Sequence, residues 1–235
     1  MTMLEVKDLN LYYGGFQALM DITLRVERDQ IVSILGSNGA GKSTLLKAIS
    51  GLLKPSSGSI HYNGGRIDRL DPHEIVRLGL ALVPEGRKIF SSLTVLENLL
   101  IGSYVPEARR AKDEQLENVF ELFPRLRERK GQLGSTLSGG EQQMLAIGRA
   151  LMSQPRLIVF DEISLGLSPV IVQHLYQAVH QIKQKGMVVV LVEQDVKRSL
   201  KTADFAYILQ EGKISLKGNP RDFTEEEVKK AYFGL

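Results

Sequence analysis

The segment "GSNGAGKS", Gly36 to Ser43, sets three glycines, a lysine and a hydroxyl at a spacing suited to polyphosphate chemistry. It follows the apolar run "QIVSILG" (30 to 36) and opens the helix-patterned "GKSTLLKAIS". That is the strand, loop and helix context a phosphate-binding loop requires. Glycines at 36, 39 and 41 let the backbone N–H groups of Ser37, Asn38, Gly39, Ala40 and Gly41 turn inward on phosphates. The helix start adds the positive end of its dipole. Lys42 is then placed to reach the β- and γ-phosphates of a nucleotide such as ATP, Ser43 to hold a magnesium ion, and Thr44 to complete the phosphate-contacting set.

Two further segments carry acid or anion chemistry. The run "LIVFDE" ends on Asp161 at the carboxyl end of a buried strand, where ligands gather in parallel sheets. Asp161 suits magnesium held through water, and Glu162 can orient and deprotonate an attacking water. Alone, an Asp-Glu pair serves equally well to cap a following helix; beside a phosphate loop, catalysis becomes the better reading. In "LSGGEQQ" (137 to 143), Ser138 and Glu141 have the spacing of a capping box. Gly139 and Gly140 each weaken a helix by about 1 kcal/mol relative to alanine. They make sense if a phosphate must approach the backbone. A second anion site outside the first loop is best used on another molecule's ATP, closing each nucleotide between Lys42 of one chain and Ser138 of the other.

These residues need a scaffold that brings strand ends together. Three valine- and isoleucine-rich runs, 30 to 36, 156 to 162 and "MVVVLVEQ" (187 to 194), read as strands buried on both faces. Helix patterns separate them: 42 to 50 closed by Gly51, 139 to 153, and "PVIVQHLYQAVHQIKQKG" with Ser168 as N-cap and Pro169 in the first turn. The alternation predicts an α/β fold with a mostly parallel sheet. "LEVKDLNLYYG", and "FAYILQEGKISLKG" with its Glu211-Gly212 turn, look like antiparallel strands on its flank. From 85 to 153 the pattern is helical, with Leu116, Val119, Phe120 and Phe123 on one stripe. The expectation is a single 1–235 domain, with a core of 1–84 and 154–235 and an inserted helical subdomain over 85–153. "TEEEVKKAYF" predicts a last helix with Thr224 and Glu227 as its capping box.

Composition sets the outer bounds. A chain of 235 residues that is 43% hydrophobic can fill a core, and no run approaches the length that crosses a bilayer. The N-terminus lacks the apolar stretch of a signal peptide, so the chain is expected to be soluble and not exported. The absence of cysteine excludes thiol chemistry. His61, His73, His174 and His180 show no metal-ligand spacing. The basic run "RLRERK" (125 to 130), in a chain of net charge +3, reads as a solvated helix face and not a nucleic-acid stripe.

The phosphate loop, "LSGGEQQ" and "LIVFDE", in that order and spacing, resemble the ATPase subunit of an ATP-binding cassette transporter over essentially the whole chain. The resemblance implies that Tyr13 stacks on adenine and that "PEGR" around Glu85 joins core to helical subdomain, with Glu85 near magnesium. "SLGLSP" from Ser164 would signal across the dimer, and Gln194 would contact the γ-phosphate. Glu85 stands where glutamine is usual in the superfamily, Gln194 where histidine is usual, Ser168 where aspartate is usual and Ile163 where proline is usual. "ALVPEGRKIF", "LTVLENL", "DEISLGLSP" and "LVEQD" narrow the likeness to ATPases of branched-chain or hydrophobic amino-acid uptake systems. Ile163 and Asp195 remain unusual there.

The implied partners are a second ATPase subunit, identical or related, transmembrane permease subunits and, indirectly, a solute-binding receptor. The implied place is the cytoplasmic face of the membrane. Docking would fall around Glu85 and "FSSLTVLENLL". Urea, short amides or other amino acids are alternative cargoes. A soluble ATPase switch acting on DNA or ribosomes would need a coiled coil or a second cassette, and a phosphotransferase would not need "LSGGEQQ".

Overall fold

The computed structural model describes residues 1–234. In chain order it forms β1 (Thr2–Tyr13), β2 (Phe16–Glu27), β3 (Ile31–Leu35), α1 (Lys42–Ile49), β4 (Ser57–Tyr62), β5 (Gly65–Arg66), α2 (Pro72–Arg77) and β6 (Leu80–Val83). Five helices follow: α3 (Val95–Gly102), α4 (Pro106–Arg110), α5 (Lys112–Leu122), α6 (Pro124–Glu128) and α7 (Gly139–Leu151). The remainder is β7 (Leu157–Asp161), α8 (Pro169–Gln184), β8 (Val188–Glu193), α9 (Val196–Thr202), β9 (Phe205–Gln210), β10 (Lys213–Gly218) and α10 (Glu225–Phe233). The chain divides into two compact units, residues 1–75 with 188–235, and residues 76–187.

The first unit holds an antiparallel sheet of order β2-β1-β4-β5. It also holds a parallel set in which β3 pairs with both β8 and β9. Every residue of β3 and β8 is buried, so their apolar runs serve both faces. Each fully buried valine, leucine or isoleucine there contributes about 1.5 to 3 kcal/mol. The 205–218 hairpin, expected on the antiparallel flank, instead extends this parallel set. Its first strand is buried at four successive positions, a pattern a half-solvated sheet does not accept. Only β10, which alternates between exposed and half-buried, runs antiparallel to β9. The capping box of α10 forms as expected, with the Thr224 side chain accepting from Glu227 N–H.

The second unit contains the parallel pair β6 and β7 and the helices α3 to α8. The expected helical subdomain, 85–153, lies wholly inside it. The helical pattern of 113 to 130 is split at Phe123, whose φ of −132° and ψ of 76° leave the helical region that the following Pro124 disfavours. Val119, Phe120, Phe123 and Leu126 are nevertheless all buried. Gly148 lets α7 approach its neighbours closely: a Cβ there would lie 2.9 Å from Leu99 Cδ2 and from Val119 Cγ1. The basic run is solvated but paired, through Arg125 to Glu128, Arg127 to Glu117 and Arg129 to Glu141. Among the described residues, no helix is long and apolar enough to cross a membrane.

Candidate nucleotide site

In the first unit, β3 delivers the loop Gly36 to Ser43 at its carboxyl end. A turn closes through the Ala40 N–H to Ser37 O bond at 3.2 Å, and Gly39 and Gly41 adopt φ values of +84° and +103°. Left-handed backbone of this kind is where glycine costs least. The Lys42 ammonium is buried over the loop and donates to Gly36 O at 2.8 Å and Ser37 O at 3.1 Å. Its charge is therefore fixed at the centre of the loop. Tyr13, at the end of β1, is half exposed, with its hydroxyl 3.5 Å from Thr44 Oγ1. Leu35 pairs in register with Glu193, so Gly36 and Gln194 leave neighbouring parallel strands at the same level.

Sequence reasoning missed the support beneath this loop. Gly212, at the β9–β10 turn, donates to Ala40 O at 3.0 Å and accepts from Met20 N–H at 2.8 Å. Its φ is +75°, and a Cβ there would lie 2.6 Å from Ala18 O. Gly41 is hemmed in on the same side, with Ala18 O 3.0 Å from the place its Cβ would take. The Glu211-Gly212 turn was legible in the sequence, but what it rests against was not.

In the second unit, Asp161 ends β7 and Glu162 follows, both largely buried. Val83 pairs in register with Phe160, so the segment running to Glu85 leaves the sheet beside this acidic pair. Glu85 itself is exposed. Glu162 has φ +49°, a left-handed conformation that costs a residue with a side chain about 1 to 2 kcal/mol. Such outliers persist where surrounding structure holds them, often at functional positions.

The start of α7 is a complete capping box. Ser138 N–H and Oγ–H donate to Glu141 Oε2 at 2.9 and 2.8 Å, and Glu141 N–H donates to Ser138 Oγ at 3.4 Å. Arg129 Nε lies 2.7 Å from the other carboxylate oxygen. Burial by itself would raise the Glu141 pKa, but the two Ser138 hydrogen bonds, with Arg129 and Arg125 nearby, outweigh it and hold the carboxyl below its ordinary value. The glycines have packing reasons that the sequence did not disclose. A Cβ on Gly140 would lie 2.8 Å from Ile171 Cγ2, and one on Gly139 would lie 2.9 Å from Arg87 Nη2.

A glycine-lined loop between a parallel strand and a helix, with a buried lysine at its centre, defines a phosphate-loop nucleotide-binding protein. The family model described as ABC transporter matches residues 19–164. The high-affinity branched-chain amino acid transport ATP-binding protein BraG of Pseudomonas aeruginosa is 46% identical over 99% of this chain and 100% of its own length. BraF of the same organism, carrying the same description, is 30% identical over 98% of this chain and 97% of its own. The dimeric post-hydrolysis state of an ATP-binding cassette bound to ADP and Pi superposes with a TM-score of 0.79 at 28% identity, over 94% of this chain and all of that one. The chain belongs to the ABC transporter family and is one of its ATPase cassettes.

Proposed function

We propose that this chain is the ATP-hydrolysing subunit of an importer for branched-chain or other hydrophobic amino acids, attached to the cytoplasmic face of the membrane through permease subunits. The observation that carries this reading is likeness to BraG along the full length of both chains. BraF and BraG are two different ATP-binding proteins of one organism, which supports pairing with a related second cassette. The exposed apolar residues Phe90 and Ile101, within and beside the "FSSLTVLENLL" segment, offer a surface for a permease helix.

In this reading Tyr13 stacks on the adenine, the 36–44 loop wraps the phosphates and Lys42 balances their charge. Glu162 takes a proton from water as its oxygen bonds to the γ-phosphorus. The bond from that phosphorus to the bridging oxygen breaks, and ADP leaves with the electron pair. Gln194 donates a hydrogen bond to the γ-phosphate without titrating near neutral pH. Ser43, Asp161 and Glu85 offer only oxygen donors, the chemistry magnesium prefers. When bound, magnesium neutralises charge on those phosphates. Ser138, Gly139, Gly140 and Glu141 form the surface that reads the ATP of the opposite cassette.

The test is the solution mass of Glu162→Gln, by light scattering, with and without ATP and magnesium, alone and with the companion cassette. Association that needs ATP and disappears with Ser138→Arg is the expected result. Binding of ATP with no association in either mixture would overturn the two-chain site.

A further inference from the structure

Arg87 occupies an unfavourable place. Its guanidinium lies flat against the first residue of α7: the Cβ position of Gly139 is 2.9 Å from Nη2 and 3.1 Å from both Cζ and Nη1. That is the positive end of a thirteen-residue helix, where a cation is repelled and an anion welcomed. The backbone that places it there is also unfavourable, with Gly86, Arg87 and Lys88 all left-handed at φ +75°, +65° and +46°. One donor bonds Gln142 Oε1 at 3.2 Å. The remaining guanidinium donors have no acceptor, and no carboxylate pairs with Arg87, among the described residues.

A clamp joining this segment to α7 does not require a second cation at the helix start. Arg149, further along the helix, already makes such a tie by donating to Lys88 O at 2.6 Å and stacking on Phe90 at 5.0 Å. We propose that Arg87 is a phosphate-binding residue of the two-chain site: its free donors, beside Ser138 and the N–H groups of Gly139 and Gly140, take the γ-phosphate of the ATP held by the opposite cassette. An anion there relieves the repulsion between guanidinium and helix, and the planar fork matches phosphate oxygens. Gly139 must stay bare for the guanidinium to reach this position. The inference rests on the two-chain reading of Ser138 given above.

The experiment compares Arg87→Ala and Arg87→Lys in the Glu162→Gln background. It measures the ATP concentration for half-maximal association, alone and with the companion cassette, and the Tm of each free chain. Loss of a charge-assisted contact should raise that concentration about tenfold or more for Arg87→Ala. Arg87→Lys, which keeps charge but not the fork, should fall between. The Tm of free Arg87→Ala should hold or rise, because a cation leaves the helix start. Unchanged association, or a fall in Tm that accompanies weaker association, would overturn the proposal and leave Arg87 a structural clamp. If Ser138→Arg also leaves association intact, the two-chain reading itself fails; if Ser138→Arg abolishes it while Arg87→Ala does not, only the role of Arg87 fails.

Discussion

Replacing Gly140 with alanine separates two reasons for a bare position at the start of α7. A phosphate that approaches the backbone would exclude a methyl group, and so would a neighbouring side chain. The new Cβ would stand 2.8 Å from Ile171 Cγ2, 3.1 Å from its Cγ1 and 3.2 Å from its Cδ1, all on one side chain of α8. Overpacking of this kind costs about 1 to 3 kcal/mol, and alanine returns about 1 kcal/mol of helix propensity. Gly140→Ala should therefore destabilise the chain by roughly 0 to 2 kcal/mol. Ile171→Ala removes every atom in the clash, so the double variant should regain stability relative to the sum of the two singles. A coupling of about 1 kcal/mol or more, read by urea denaturation of all four proteins, is expected from direct contact. ATP hydrolysis measured on the same four proteins should recover with the double variant if packing is the reason for the glycine. Strictly additive stabilities would refute the packing account, and hydrolysis lost equally in the single and double variants would return the glycine to the phosphate.

Gly212→Ala should damage the nucleotide loop from beneath, because φ +75° and a Cβ 2.6 Å from Ala18 O leave the methyl group facing backbone that cannot rotate away. Left-handed strain of about 1 to 2 kcal/mol adds to the clash, so a lower Tm and weaker ATP binding by calorimetry are expected together. The Glu141 carboxyl, held below its ordinary pKa, contributes stability that is fully present above the unfolded value and is lost as pH falls through the folded one. Acid denaturation curves of wild type and Glu141→Gln should therefore converge at low pH and separate above it, with the wild type the more stable. A constant separation across the acid range would show that Glu141 acts by shape and not by charge.

Much of the site was legible because its chemistry is local. The phosphate loop needs Gly36, Gly39, Gly41, Lys42 and Ser43 at fixed spacing along one turn of chain, and the capping box needs only Ser138 and Glu141 three residues apart. Strands β3, β7 and β8 were equally plain, since burial on both faces leaves an unbroken apolar run. The hairpin at 205–218 was misplaced because its turn is local but its neighbour is not: pairing of Ile34 with Tyr207 joins residues far apart in the chain. Strands β2, β4 and β6 were also missed: β2 alternates strictly from Ile22 to Val26 but not through the adjacent buried pair Ala18 and Leu19, β4 is largely half-buried, and β6 is only four residues long.

Local sequence was enough to mark the groups suited to phosphate, because a backbone turn, a cap and a strand end are each set by a few adjacent residues. Tertiary structure alone decided what holds those groups. Gly212 lies under the phosphate loop, Arg129 on the capping glutamate and Arg87 over Gly139 because distant segments converge there. Spacing along the chain records bonding within one turn of backbone, whereas close contact between separated segments depends on how apolar surfaces are buried together.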